Sequence, residues 1–329
     1  MHRIVLSVLL FPVAGIATTS ASEFAGHWSF SLPDGNPAWL AIEKADSGWE
    51  GHLLWSVGTA KPVEDVTIDD GALSFTRTLK WKPYGEDPAL RIETPMTGRL
   101  DGDSLVLTVR QKRVDSPEAE EETISLHGKR LPELPEAPDL DEIVFGEEID
   151  LLADGIAGWR LTNPKKTNGW RVESGVLINE TPKKGHGAYG SYGNLRTNEE
   201  FDDFQLTIEY RLPDGGNSGI YLQGKYEAQV VDAAGKPPSK TGPGSIYGRL
   251  QPARNAARSA GEWNRYDLTL VDRHVTVVLN GDTVIENEPI EGPTGGGMSA
   301  DVTTPGPLFL QGDHTTVEYR NILIRPRVK

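Results

Sequence analysis

Three short segments in the C-terminal half of the chain gather side chains that could do chemistry. In Asn217-Ser218-Gly219-Ile220-Tyr221-Leu222-Gln223, the polar and aromatic groups at 217, 221 and 223 share one parity. A continuous strand sends them to one face and turns Ile220 and Leu222 to the core. In Tyr226-Glu227-Ala228-Gln229-Val230-Val231-Asp232, Glu227 and Gln229 again share a face, with Asp232 ending the run. The third segment is Leu310-Gln311-Gly312-Asp313-His314, followed by Glu318-Tyr319-Arg320-Asn321-Ile322. Glu227, Asp232 and His314 are the residue types that transfer protons. Asn217, Tyr221, Gln229, Gln311 and Arg320 are the types that hydrogen-bond hydroxyls. Such a mixture on a concave sheet suits a sugar. Spacing alone leaves each residue a purely structural alternative: Glu227 as a solvated strand residue, His314 as a packed turn residue, Asn217 as a partner for the turn before Gly219. Arg320 and Asn321 could equally brace the last strand, and Trp263 could anchor the core.

Other chemistries find no support. A retaining β-glucanase strand alternates carboxylates so that nucleophile and acid/base lie on one face. Glu148-Ile149-Asp150-Leu151-Leu152 begins that pattern but has Leu152 where the second glutamate should stand. His186, His274 and His314 are far apart, with no His-x-x-x-His pair, so no zinc pattern is recognisable. No glycine-rich loop leads from a strand into a helix, which removes nucleotide-binding fingerprints. Asn179-Glu180-Thr181 matches a glycosylation sequon, a triplet too common to carry weight. Zero cysteine excludes disulfides, thiolate metal sites, thiol catalysis and a cysteine-linked lipid anchor. A net charge of −15 argues against a nucleic-acid partner, which needs clustered Lys and Arg.

The elements that must position these residues read as strands throughout. Gln205–Tyr210, Tyr266–Val271, His274–Leu279 and Thr316–Tyr319 alternate in strand fashion, with hairpin turns expected at Asp272-Arg273 and Asn280-Gly281. No stretch combines helix length with an apolar repeat at three, four and seven, so the second half is a β-sandwich by elimination and spacing. Residues 23–130 also carry short apolar runs, such as Trp39–Ile42, His52–Trp55 and Leu105–Thr108, between Asp-Gly turns. They fit a smaller antiparallel barrel or sandwich, either an accessory unit or a ligand-binding barrel. Gly26-His27-Trp28 resembles the Gly-x-Trp near the start of lipocalin-like barrels.

The chain has 329 residues, a length that suits two domains. Residues 131–150 carry eight acidic and no basic side chains, and prolines crowd their start, so 131–142 reads as an acidic extended linker. At the N-terminus, His2 and Arg3 precede the apolar stretch Ile4–Ala17 and the small residues Thr18–Ser22, with no acidic residue among 1–22. This is the order of a cleavable signal peptide, cut after Ala21 or Ser22, and it implies a periplasmic or secreted protein with no membrane span.

The ordered motifs of residues 143–329 resemble the 3-keto-disaccharide hydrolase domain family. They run from Phe145-Gly146-Glu147-Glu148-Ile149-Asp150-Leu151-Leu152 and Gly169-Trp170-Arg171-Val172 through Asn217-Ser218-Gly219-Ile220, Tyr226-Glu227-Ala228-Gln229 and Gly261-Glu262-Trp263-Asn264. Leu310-Gln311 and Tyr319-Arg320-Asn321-Ile322 complete the series. The resemblance implies a concanavalin A-like jelly roll, with residues 23–130 outside it. It also implies activity on glycosides oxidised at C3. A C3 carbonyl acidifies the C2 hydrogen, so a base can remove it and the C1 substituent can leave by elimination, with or without later hydration. On this reading Glu227 is the base and His314 the acid or a second base. Gln229, Gln311 and Asn217 orient hydroxyls or the developing oxyanion, Tyr221 and Asp232 lie nearby, and Arg320 is a weaker substrate-binding candidate. His314 lacks the glycine that often follows it in relatives. No cofactor is demanded; a divalent cation stays possible, by analogy with other such sandwiches. The alternative is a non-catalytic carbohydrate-binding module on the same sandwich.

Overall fold

The structure, a computed structural model, describes residues 20–81, 90–111, 122–181 and 191–328. The expected signal peptide lies outside the described residues except for its last three positions, of which Ala21 and Ser22 begin a 3-10 turn, Ala21–Phe24. No helix among the described residues is long and apolar enough to cross a membrane.

The N-terminal unit is one antiparallel meander of nine strands from Gly26 to Arg130, in which the first strand, Gly26–Ser31, pairs with Pro37–Ala45 on one side and Glu122–Arg130 on the other. The two sheet edges are Lys61–Pro62 and Glu64–Asp69, separated only by Val63, so the sheet closes on itself through continuous chain. Closure removes the exposed edges that an open sheet would present. Trp28, Phe30, Leu40, Leu53, Phe75, Met96 and Leu107 fill the inside.

Strand Pro37–Ala45 explains how the barrel meets the rest of the chain. Its run Ala38-Trp39-Leu40-Ala41-Ile42 is buried throughout. Alternation sends Ala38, Leu40 and Ile42 into the barrel, while Trp39 and Ala41 join the core of the C-terminal unit. Leu54 and Leu131 follow them. The acidic segment after Arg130 has no regular structure, as its prolines dictate, but it is tied down. Arg273 donates to the Pro132 carbonyl at 3.0 Å, and Asn287 to that of Pro138 at 3.0 Å.

The C-terminal unit is a jelly-roll sandwich of two sheets. The larger has the order Trp170–Glu173, Val176–Asn179, Val317–Pro326, Phe204–Arg211, Asn264–Val271, His274–Leu279, Asp282–Pro289, with Ile149–Asp150 also pairing with Val317–Pro326. The smaller runs Trp159–Leu161, Leu195–Thr197, Phe309–Leu310, Asn217–Leu222, Tyr226–Val231. The Asp272-Arg273 and Asn280-Gly281 turns both adopt positive φ at their two central residues, the hairpin geometry their sequences imply.

Between the sheets, buried tyrosines hold the small sheet by its backbone and by one serine. The Tyr266 hydroxyl donates to the Gln229 carbonyl at 2.7 Å and accepts from Gly244 N at 2.7 Å. The Tyr319 hydroxyl and Ser218 Oγ lie 2.7 Å apart, and Ser218 donates onward to the Gln311 carbonyl at 2.7 Å. Each of these hydroxyls is satisfied where an unpaired one would cost stability. The result fixes the register of the strands that carry residues 217–231 and 311.

Candidate active site

The hairpin of Asn217–Leu222 and Tyr226–Val231 places Tyr221 opposite Glu227 and Gly219 opposite Gln229. Because Ser218, Ile220 and Ala228 belong to the sandwich interior, the alternate set of 217, 219, 221, 227 and 229 occupies the other face. Phe309 lies opposite Tyr221 on the next strand, and the two rings stack at 4.4 Å. Gln311 follows beside Gly219, its amide donating to the Gly219 carbonyl at 2.9 Å. The structure thus brings Asn217, Tyr221, Glu227, Gln229 and Gln311 onto one face, as the strand parity implies. Gln223 does not continue the series. The strand ends at Leu222, and Gln223 takes a left-handed turn conformation and donates to the Asp202 carbonyl at 2.6 Å.

Glu227 is the unusual group of this face. It is only 4% exposed. Its carboxylate lies across Gly219, where a Cβ would stand 2.3 Å from Oε1. Burial raises its pKa to about 8; the nearby charge of Asp313 adds to that, and a hydrogen bond from the Tyr221 hydroxyl works against it. That hydroxyl is also 3.1 Å from the Gly295 carbonyl, so its single proton can be turned either way. The Glu227 amide donates to Thr294 Oγ1 at 3.0 Å, and the Tyr247 amide donates to the Glu227 carbonyl at 2.9 Å. Tyr247 itself is half-buried, and its hydroxyl is pushed up by burial and by the Glu227 charge.

His314 reaches the same neighbourhood through Asp313. Its Nδ1 is 2.6 Å from Asp313 Oδ1, with both side chains about one-quarter exposed. Asp313 in turn acts electrostatically on Glu227 and Tyr221. The turn that carries this pair is clamped from below. Asn179 donates to the Gly312 carbonyl at 2.9 Å and the Thr315 carbonyl at 3.2 Å. Thr181 Oγ1 donates to the Gly312 carbonyl at 2.7 Å, and Asn194 Oδ1 accepts from Gly312 N at 2.8 Å. The sequon at Asn179 is therefore a buried clamp with its amide fully engaged. Gln311 Oε1 is buried without a partner, an orphaned acceptor on the site's own face. Gln229 spends its side chain locally, with Oε1 accepting from Val230 N at 2.8 Å.

Two sequence-based candidates stand apart. Asp232 Oδ2 accepts from Gly215 N at 2.7 Å, so it caps the turn before the first site strand. Arg320 lies on the larger sheet, and its neighbour Tyr319 points into the sandwich, which sends Arg320 outward. There it pairs with Glu209 at 2.7 Å and covers the Trp263 ring at 4.1 Å. Both corrections have one cause: the alternation that aligns Glu227 with Gln229 stops before 232 and has the opposite sense at 320. Sequence reasoning missed Asp313, Tyr247 and Asn179 as parts of the site. The acid next to His314 was a legible signal for Asp313; for the other two, partners distant in sequence supply the meaning. Among the described residues, no group of three or more His, Asp or Glu is placed to hold a metal ion.

A family model described as a 3-keto-alpha-glucoside-1,2-lyase-like domain matches residues 149–325. The chain belongs to this family. The match includes Glu227, Asp313 and His314 and leaves the barrel outside it. A 3-keto-disaccharide hydrolase from Bacteroides thetaiotaomicron is 25% identical over 227 residues, covering 58% of this chain and 77% of the relative. A crystal structure from Parabacteroides distasonis, assigned as a glycosyl hydrolase, is 30% identical, with 59% of this chain and 94% of that one covered at a TM-score of 0.44. The carbohydrate-binding module CBM66 from Bacillus subtilis is 10% identical and covers 51% of this chain and 95% of its own, at a TM-score of 0.34.

Proposed function

We propose that this family member is an enzyme that breaks the glycosidic bond of 3-keto-glycosides by removing the C2 proton and eliminating the C1 substituent. The observation that carries the reading is the buried Glu227 with its pKa raised to about 8, set beside the Asp313–His314 pair. A carboxyl tuned toward neutrality beside a histidine is what proton transfer requires.

The chemistry balances without a co-reactant. A base takes the C2 proton, and the electron pair moves into the C3 carbonyl as an enolate. The enolate then re-forms the carbonyl while a C1–C2 double bond forms and the C1–O bond breaks. The departing oxygen takes a proton from an acid. Addition of water across C1–C2 would turn the resulting enone into the free 3-keto sugar.

The surroundings favour a particular division of labour. At neutral pH most Glu227 carries its proton, so it is fit to donate to the enolate or the leaving oxygen. His314, whose Nδ1 lies 2.6 Å from Asp313 Oδ1, is then the candidate base. This exchanges the two roles that the sequence alone suggested. Gln311 Oε1, lacking a partner, is the natural acceptor for a substrate hydroxyl. Export is part of the proposal and rests on residues 1–22 alone; N-terminal sequencing of protein recovered outside the cytoplasm tests it.

The pH dependence of kcat/KM on a 3-keto-disaccharide tests the reading. With Glu227 as the acid, activity falls as pH rises through about 8. Activity that instead rises through that value returns Glu227 to the role of base. Binding of keto sugar without cleavage at any pH leaves a binding module.

A further inference from the structure

Tyr247 stands beside Glu227 on a short segment that extends the smaller sheet. Ile246 forms an antiparallel bridge with Ala228. The Gln229 amide donates to the Ser245 carbonyl at 3.1 Å and the Tyr247 amide to the Glu227 carbonyl at 2.9 Å, so this pairing sets Tyr247 opposite Glu227. Ile246 and Ala228 both lie in the sandwich core. Alternation then turns Tyr247 to the other face, the one that carries Glu227. Tyr221 is the neighbour of Glu227 on its other side. The acid is thus flanked by two tyrosines, one from each adjoining segment.

The two hydroxyls differ. That of Tyr221 is buried and shared between Glu227 and the Gly295 carbonyl. Tyr247 is half-buried, and among the described residues nothing hydrogen-bonds its hydroxyl. Burial and the Glu227 charge both push its pKa up, so it keeps its proton wherever Glu227 does. The segment that carries it is held firmly. The Gly248 amide donates to the Lys240 carbonyl at 2.6 Å, and Arg249 Nη2 to the Pro293 carbonyl at 2.7 Å. Thr59 of the barrel packs on Gly248 so closely that a Cβ there would stand 2.6 Å from its methyl group. Donors fixed in advance stabilise a developing charge most, because nothing has to reorganise when it appears.

We propose that the Tyr247 hydroxyl and the Glu227 carboxyl together form the oxyanion hole for the enolate at C3. The inference rests on the elimination reading and assigns the donors of its first step. In that step His314 takes the C2 proton, the C2–H electron pair forms the C2–C3 double bond, and the carbonyl electron pair moves onto the C3 oxygen. Tyr247 and Glu227 hydrogen-bond that oxygen and keep their own protons, so the step balances with no other reactant. A phenol and a carboxylic acid held neutral by burial suit this task, since both donate at neutral pH and neither brings a charge that burial would penalise.

Tyr247→Phe removes only the hydroxyl. Single-turnover cleavage is followed on an α-linked glucose disaccharide oxidised at C3 of the non-reducing ring and on 4-nitrophenyl 3-keto-α-glucoside, whose leaving group needs no proton. Both rates should fall about 10²- to 10³-fold, as loss of one oxyanion donor gives, with the alkaline limb of the pH profile staying near 8. A fall confined to the disaccharide overturns the proposal, because Tyr247 then protonates the leaving oxygen. Unchanged rates overturn it too. A limb displaced to lower pH overturns it by showing that the ring only shields Glu227 from water. If the wild-type chain cleaves neither compound, the elimination reading itself fails, an outcome distinct from all of these, and the oxyanion hole falls with it.

Discussion

Replacing Glu227 by Gln should stabilise the chain, and should do so more strongly as pH rises. A buried carboxyl with a pKa near 8 in the fold and an ordinary value of 4.5 when unfolded binds its proton more tightly in the native state. Its contribution is therefore complete below the lower value, declines as pH climbs through the window, and is lost above about 8. Three and a half units correspond to about 5 kcal/mol in all, of which about 3 kcal/mol fall between pH values near 6 and 9. Glutamine has the shape of the neutral acid and no charge to desolvate, so it escapes this loss. Tyr221, Asp313 and every other titrating group are present in both proteins and largely cancel in the difference. Equilibrium urea unfolding of wild type and variant at the two pH values reads the effect directly. The stability gap should widen in favour of the variant by about 3 kcal/mol at the higher pH, while cleavage of a 3-keto-glycoside is lost. A gap that stays constant with pH refutes the burial argument, because it means that Glu227 is ionised in the fold at both values. An infrared difference spectrum offers an independent reading: a protonated carboxylic acid at neutral pH that disappears with the substitution.

Three further outcomes follow from the same geometry. Asp313→Asn removes the negative charge that helps hold the Glu227 proton, so the alkaline limb of the pH–rate profile should move to lower pH, while His314→Ala should cut kcat about 10²- to 10⁴-fold. Asn179→Ala leaves the Gly312 carbonyl with Thr181 alone and that of Thr315 without Asn179, and should cost about 2 kcal/mol in unfolding free energy together with a fall in kcat that Asn179→Gln does not fully restore. Arg320→Ala should leave KM and kcat unchanged and lower stability by about 1 kcal/mol or less, since it breaks only a partly exposed pair with Glu209 and the cover over Trp263.

What was readable in the sequence was whatever depends on neighbours along the chain. The parity of Asn217 and Tyr221, and of Glu227 with Gln229, survives folding because each set rides on one uninterrupted strand. The hairpins at Asp272-Arg273 and Asn280-Gly281 were equally local. Even Arg320 could have been read correctly. In Val317-Glu318-Tyr319-Arg320 the apolar and polar residues alternate, so a buried Tyr319 already implies an outward Arg320. Asn179 was beyond such reading, and so was the neighbourhood that sets Asp313, itself legible beside His314, close to Glu227. Their roles come from the Gly312–Thr315 turn descending onto strand Val176–Asn179, more than a hundred residues away in sequence, and no periodicity encodes which strands become neighbours. The unbroken apolar run at Trp39–Ile42 hinted that its strand is buried on both sides, but could not say that a second unit covers it.

The acidity of Glu227 is a property of both units rather than of its own strand. Burial dominates its shift, and part of that burial comes from the Thr294–Gly296 segment, which receives the Glu227 amide and offers a carbonyl to the Tyr221 hydroxyl. Within the sandwich the hairpin holds that segment, since the Thr294 amide donates to the Lys225 carbonyl at 2.9 Å and the Met298 amide to that of Gly224 at 2.7 Å. The barrel presses on it from outside: the Gly296 amide donates to the Ser56 carbonyl at 2.9 Å, and a Cβ on Gly295 would stand 2.1 Å from the Gly58 carbonyl. Lys129 fixes the same loop further on through Asp301 at 3.0 Å. A contact this close admits only glycine at 295 and leaves little room for the loop to lift, so water is kept from the carboxyl by packing that originates in the first hundred residues. The sandwich supplies the reacting groups, and the barrel, through a loop that touches both, helps set the proton affinity with which they work.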